Sequence, residues 1–528
     1  MSTSEQHKET QIESPRGTRW WPAVVILMIA TGVWVFIWQF QDVHRQTQNL
    51  QTTLLILATL GLLLVWVLLL SRLRWRRRLL LGGAALGLAG LVAVSLEIRG
   101  VTGDLLPVLE WRWTKRTSQL LSADQPTVEL SSLPRDVELT GSYPQFCGPE
   151  RNGKLSGLRL ARDWKAQPPE LLWRQPIGAA WSGFAIVGQY AVTMEQRGES
   201  ELVACYHVLT GDLLWTHADE SHYESVIAGE GPRAVPTIVD DRVFTLGPTG
   251  RLNCLSLNSG SVIWSRDIVA ENEASTPGWG VSCSPLVIGS KVIVSAGGKA
   301  GRSLVAYDAG SGEPIWSGGD DRAGYSSPAP ITIDGIEQVL IFNSPGVKAH
   351  DLDSGEVLWG YDWEGNAARI VMPIALPAGR VLISTGYGTR SELIQASQDP
   401  AGSWSAIQIW ESKRLKSKFA NIVVQNGYIY GLDDGIFVCL DLATGDRQWK
   451  RGRYGHGQMI LVDDLLLVMA ENGELILLEP SPEENRELAR FAVLDGKTWN
   501  PPALAGEYLL VRNDKEAACY RLPTVAQD

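Results

Sequence analysis

The chain has 528 residues with a formal net charge of −11, long enough for a membrane segment plus one large domain. Its acidity argues against a nucleic-acid partner, which calls for a basic face. The six cysteines form no CxxC or CxxCH pair, which removes covalent c-type haem and a thioredoxin-like site and argues against a Cys-based zinc site. Fifty-three glycines suit a chain full of tight turns, and 21 tryptophans point to a packing role that recurs.

Residues 1–19 read as a cytoplasmic N-terminus. Three apolar runs follow, at 20–38, 54–70 and 79–96, each about the length a helix needs to cross a hydrocarbon core. Three consecutive runs without a small-residue cleavage site argue against a cleaved signal peptide. Arg72, Arg74, Arg76, Arg77 and Arg78 lie between the second and third runs, whereas only Arg45, against Asp42, lies between the first and second. Positive loops stay in the cytoplasm, so the N-terminus, with Arg16 and Arg19, is expected inside and everything after Leu96 outside. Trp20, Trp21, Trp38 and Trp75 fall at run ends, where an amphipathic ring favours the interface. The runs contain no ionisable residue and read as an anchor.

Residues 97–140 are mixed and polar, and read as a juxtamembrane stalk. Beyond them one pattern returns. In segments ending at Trp215, Trp264, Trp316, Trp359 and Trp449, a small residue stands ten positions before Trp, Ser or Thr five before and Gly four before. Asp308, Asp351 and Asp441 stand eight before. This spacing predicts a strand, a tight turn and a strand, with Gly at positive φ and the Trp on the outermost strand. Its ring would pack on the neighbouring sheet and its N–H would find a turn carbonyl. Trp410 marks a divergent copy, Trp173 an isolated outer strand upstream and Phe491 another downstream. Repeats of roughly 40–50 residues with four short strands read as propeller blades. The count is eight, and the last three strands are expected to close the ring on the Trp173 strand. The fold expected is an all-β eight-bladed β-propeller over residues 141–528, preceded by three transmembrane α-helices over 20–96. Cys205, Cys254, Cys439 and Cys519 share the register of Ala306 and Ala349, and read as small buried residues of inner strands that remain unpaired thiols.

The repeat resembles that of quinoprotein dehydrogenases and of the barrel-assembly lipoprotein BamB. The segment Gln145-Phe-Cys-Gly-Pro-Glu-Arg-Asn-Gly153 resembles the FRGPxRxG opening of PQQ-like propellers of planctomycete-type bacteria, with Cys147 in place of the usual Arg. The resemblance runs from about Gln145 to Leu522. It implies either a non-catalytic scaffold that clamps a partner, or an oxidoreductase of alcohols or sugars holding PQQ with a calcium ion over the channel. Membrane glucose dehydrogenases share the order of helices before propeller. The enzyme reading needs several carboxylates and, in many relatives, adjacent cysteines; no adjacent pair exists here.

Chain order places the loops between blades, and those between second and third strands, on one face around the channel mouth. The inter-blade loops supply Trp181, Arg233, Trp279, Tyr325, Arg369 and Lys418, followed by His456, Lys497, Trp499 and Asn500. A second-to-third-strand loop adds Glu195 and Arg197. The expectation is an electropositive, aromatic-walled funnel for a planar anionic ligand or an acidic loop of a protein partner. The implied location is the cytoplasmic membrane, multi-pass, with the propeller on the periplasmic side.

Overall fold

The computed structural model describes residues 17–41, 43–122 and 141–525. Arg16, Asp42 and parts of the expected cytoplasmic N-terminus and stalk lie outside them. The chain forms two compact units. One comprises the chain up to Ile98 with Asp104–Thr114, the other Arg99–Gly103 with the chain from Lys115 onward.

The first unit holds three helices long and apolar enough to cross a membrane: α1 (Trp21–Gln39), α2 (Arg45–Val65), continued by a π-helical turn Trp66–Leu70, and α3 (Trp75–Ser95). Pro22 stands at the first turn of α1, where its missing N–H is no loss. Helix α2 begins nine residues before the apolar run it contains. Its polar first turns are held within the unit, Asn49 Nδ2 donating to Asp104 O at 2.8 Å and Arg45 pairing with Asp104 at 3.3 Å. Arg78 donates to Leu68 O at 3.0 Å and Leu73 O at 2.8 Å, covering carbonyls that a helix end leaves without partners.

The second unit is an eight-bladed propeller. Blades 1 to 7 span residues 185–219, 237–267, 286–318, 329–362, 374–412, 423–453 and 458–492, each an antiparallel four-stranded meander. Blade 8 joins three C-terminal strands, Ala503–Ala505, Tyr508–Arg512 and Glu516–Arg521, to Glu170–Pro176. This closure gives the third C-terminal strand a partner and completes the fourth strand of blade 8.

The Trp repeat explains how blades dock. The ten-residue spacing brings Cys205 opposite Trp215, Cys254 opposite Trp264, Ala306 opposite Trp316, Ala349 opposite Trp359 and Cys439 opposite Trp449, and ring closure brings Cys519 opposite Trp173. These small residues lie on the third strand of each blade rather than on an inner one. All six thiols are buried and unpaired. Within the turn, Asp308 Oδ1 accepts from the N–H groups of Gly310 and Ser311. Gly312 then adopts φ 73°, and a Cβ there would lie 2.6 Å from the ring of Trp264 in the preceding blade. The same close approach recurs at Gly211, Gly260, Gly355 and Gly445. Trp264 Nε1 donates to Ala309 O at 3.1 Å, and Trp173, Trp215, Trp316, Trp410 and Trp449 donate likewise to the next blade's turn. Trp173, Trp215, Trp264, Trp316 and Trp410 thus each bury a ring face on a glycine and satisfy the N–H in one contact, whereas Trp449 meets the turn at Ser481, which carries no glycine. Trp359 donates to Gln338 Oε1 of its own blade, because the next blade's outer hairpin turns through Asp399–Ser403 instead of the repeat.

Around the axis, side chains at strand starts link one blade to the next: Val235 N donates to Ser284 Oγ, and Ser284 N to Ser327 Oγ, both at 2.9 Å. The segment that opens the propeller lies across the channel. Tyr143 bridges Ile186 of blade 1, Pro144 O accepts from Ile238 N of blade 2, and Lys154–Leu155 pairs in parallel with the inner strand of blade 7. Arg151 is 3% exposed, and its guanidinium donates to Ser284 O (2.7 Å), Pro285 O (3.1 Å) and Pro328 O (2.9 Å) at the starts of blades 3 and 4. Burial lowers its pKa to about 10. Cys147 and Arg151 both take positive φ, 63° and 55°, unusual for residues with side chains. Beside this plug, a cavity of about 390 Å³ is lined by the segment and the inner strands of blades 4 and 5.

Candidate functional site at the channel mouth

Trp181, Arg233, Trp279, Tyr325, Arg369, Lys418, His456, Lys497, Trp499 and Asn500 lie in inter-blade loops, whereas Glu195 and Arg197, expected in a second-to-third-strand loop, fall on the second strand of blade 1, Tyr190–Arg197. They separate into three groups with different chemistry.

Glu195 and Arg197 are sealed below the surface, at 0% and 2% exposure. Glu195 Oε1 accepts from Arg197 and from the Tyr206 hydroxyl, both at 2.8 Å, and Oε2 accepts from Gly178 N. Arg197 also donates to Ser122 O at 3.0 Å. Arg512 lies beside them, donating to Gly178 O and Met194 O. Both oxygens of this carboxylate are engaged internally.

A second group braces loops. Arg233 donates to the carbonyls of Ala228, Gly229 and Gly231 and lies over the Tyr223 ring at 5.0 Å. Its pKa falls to about 10, mainly through burial. Arg369 donates to Trp363 O (2.9 Å) and Gly365 O (2.7 Å). Asn500 donates to Ala180 O and Ser182 O. These cations serve backbone carbonyls of the rim, so the electropositive list read from the sequence overstates the charge available to an incoming anion.

The third group surrounds a short piece of the chain itself. Arg99–Gly103 belongs to the propeller unit. Gly103 N donates to Glu471 Oε1 at 2.6 Å, and Lys418 Nζ donates to Gly103 O at 2.9 Å. Lys497 Nζ donates to Val101 O at 3.3 Å while lying over the rings of Trp181 (4.5 Å) and Trp499 (4.3 Å). Glu471 is oriented by Trp499 Nε1 at 2.9 Å and by His456 N at 3.0 Å. Lys418 Nζ lies 3.1 Å from His456 Nε2. Further along the rim, Trp279 stacks on Tyr325 with centroids 4.9 Å apart, both half-buried, with Tyr387 at 6.1 Å from Trp279.

Glu471, Tyr387 and Asp434, whose Oδ1 lies 3.8 Å from Lys418 Nζ, were not singled out from the sequence. Each sits in a second-to-third-strand loop, the loop class expected to hold Glu195, so the signal was present. The role of Arg99–Gly103 had none, because nothing local marks a stalk segment as a ligand of a site more than 300 residues away.

The donor set does not fit calcium with a quinone. Glu195 has both oxygens bonded to Arg197, Tyr206 and Gly178, Glu471 is committed to two backbone N–H groups and an indole, and Asp433 is held by Lys416 (2.7 Å) and Lys450. Among the described residues no three His, Cys, Asp or Glu side chains converge as metal ligands. A calcium ion would have to displace each of these partners.

Comparison with known proteins agrees with the repeat. Residues 198–451 match the family described as outer membrane protein assembly factor BamB. The BamB of Bordetella pertussis is 22% identical over 340 residues, covering 54% of this chain and 82% of that protein. The BamB of Yersinia pestis is 25% identical over 276 residues, covering 48% and 67%. Among solved structures, BamB from Moraxella catarrhalis aligns with TM-score 0.50 at 15% identity, over 67% of this chain and 100% of that one. A europium-containing methanol dehydrogenase aligns with TM-score 0.55 at 11% identity, over 72% and 98%. At such identities these two structures speak to the fold alone. Over residues 198–451 the propeller is thus similar to the BamB family, with repeats of the PQQ-like kind.

Proposed function

We propose that this protein is a membrane-anchored binding scaffold whose propeller, on the periplasmic side of the cytoplasmic membrane, holds a protein partner at its channel-mouth face. The observation that carries this reading is the chemistry of the mouth: a carboxylate and two lysines aimed at peptide N–H and C=O groups, beside an aromatic rim at Trp279, Tyr325 and Tyr387. Such a surface suits a polypeptide loop better than a compact anion. The arginine-rich segment after α2 supports the membrane orientation, and the relatives are named as assembly factors, a role among proteins.

The test is site-specific photocrosslinking in membranes with a probe at the mouth rim. Wild type is expected to trap a discrete partner, and Trp279→Ala with Tyr325→Ala to reduce trapping at least tenfold. Undiminished trapping by the double variant rejects the mouth as the contact. The alternative, a PQQ-dependent dehydrogenase, predicts dye reduction with alcohols or sugars when the purified chain is given PQQ and Ca²⁺. The committed carboxylates argue for no turnover.

A further inference from the structure

We infer that Glu471, Lys418 and His456 form a receptor for peptide backbone at a glycine, which takes an extended glycine-bearing segment and is held in cis by Val101–Gly103. This rests on the scaffold reading and names the chemistry of what the partner presents.

Both polar groups of one residue are read at once: the N–H of Gly103 by Glu471 and its C=O by Lys418. Opposite charges set side by side match the N–H and C=O that one residue presents from its two flanking amides. They do not match a phosphate, a carboxylate or a metal ion, each of which one partner would repel. The selection for glycine is steric. A Cβ on Gly103 would lie 2.0 Å from His456 Cδ2 and 2.5 Å from its Cγ, and His456 has little room to yield. It is 2% exposed, its N–H is bonded to Glu471, and its ring is packed against Phe419 with centroids 5.8 Å apart. Of the preceding residues, Val101 has its carbonyl read by Lys497.

The same features explain why a partner would have to imitate the cis segment. Lys418 is buried with its side chain 1% exposed, and a buried charge deprived of its hydrogen bonds is costly. Once Val101–Gly103 leaves, the ligand that best restores both bonds is another extended strand with glycine at that position. A partner's glycine-bearing loop then competes with an intramolecular ligand of high effective concentration, so the mouth engages only partners that offer further contacts, such as the aromatic rim.

The experiment uses the full chain in detergent and a fluorescent peptide with the sequence of residues 98–104, Ile-Arg-Gly-Val-Thr-Gly-Asp. Gly103→Ala in the protein is expected to expel the cis segment and to bind the peptide at least tenfold more tightly than wild type. Adding Glu471→Gln should remove that gain, and a peptide with Ala at the second glycine should not bind. Equal binding by wild type and Gly103→Ala, or none by a Gly103→Ala chain with unchanged circular dichroism, overturns the proposal. Hydrogen exchange on unaltered protein gives an independent reading. The Gly103 amide is expected to exchange at least tenfold more slowly than in the free peptide, and Glu471→Gln to abolish that protection; an unprotected amide overturns cis occupancy. Partner trapping that survives while the peptide stays silent rejects this inference and leaves the scaffold; the converse rejects the scaffold and leaves the receptor.

Discussion

At the scale of single residues, the propeller depends on a few buried polar groups whose partners are distant in sequence. Arg151 joins three carbonyls of blades 3 and 4 from within the plug. Arg151→Met would strand them in a closed channel, at about 1–3 kcal/mol per unsatisfied group. A drop of several degrees in the propeller's thermal midpoint is expected, and an unchanged midpoint would show the plug to be dispensable. Glu201 is the opposite case: it is 2% exposed and neither carboxyl oxygen has a hydrogen-bond partner. Burial first, then the charge of Asp219, raise its pKa from 4.5 to about 8, against the opposing pull of Arg233. The folded state therefore keeps a proton that the unfolded chain releases, and stability falls as pH rises from about 4.5 to 8. Glu201→Gln should gain on wild type across that window, by up to about 4 kcal/mol at pH 8, read as diverging melting curves at pH 5 and pH 8. Parallel curves would contradict the raised pKa.

The contrast between Glu195 and Glu471 shows how far residue-level reading reached. Both stand in or beside second-to-third-strand loops. Sequence identifies the loop class, but not that Arg197 and Tyr206 close over one carboxylate while the other faces the mouth, because those partners are fixed only once neighbouring strands pair.

At the scale of the element, the outer hairpin is the unit that repeats and docks. Its glycine must be glycine for two independent reasons, a positive φ and a ring of the preceding blade where a Cβ would stand. Trp316 is 9% exposed and donates to Leu352 O. Trp316→Ala should cost about 3–5 kcal/mol, and Gly355→Ala, whose Cβ would meet the same ring at 2.4 Å, should lower the thermal midpoint too. A neutral Gly355→Ala would refute the docking account. These hairpins were legible because their turn chemistry is local. Two element-level features were not. Cys205, Cys254, Cys439 and Cys519 lie on third strands, since an offset from Trp fixes the pairing with it but not the count from the axis. Helix α2 starts early because polar groups such as Asn49 find partners in residues after α3.

At the scale of the whole chain, closure is the decisive event. The strand Glu170–Pro176 has its partner only in the final strands, Cys519 facing Trp173 across some 350 residues. Truncation before Ala503 would leave that strand and blade 8 open, and an open edge invites association with other chains. Loss of the monomeric species on size exclusion is the expected outcome, and a truncated chain that stays monomeric would argue against closure by these strands.

The amino-acid order by itself determined the three apolar helices, the hairpin repeat and the number of blades, because turn residues, Trp spacing and hydrophobic length act within a few dozen residues. Only the tertiary structure decided which charges at the mouth are spent on the fold, that the segment opening the propeller fills its channel, and that Val101–Gly103 occupies the mouth. Those outcomes depend on which groups are brought together from far apart in the chain and shut away from water, and no local pattern encodes that.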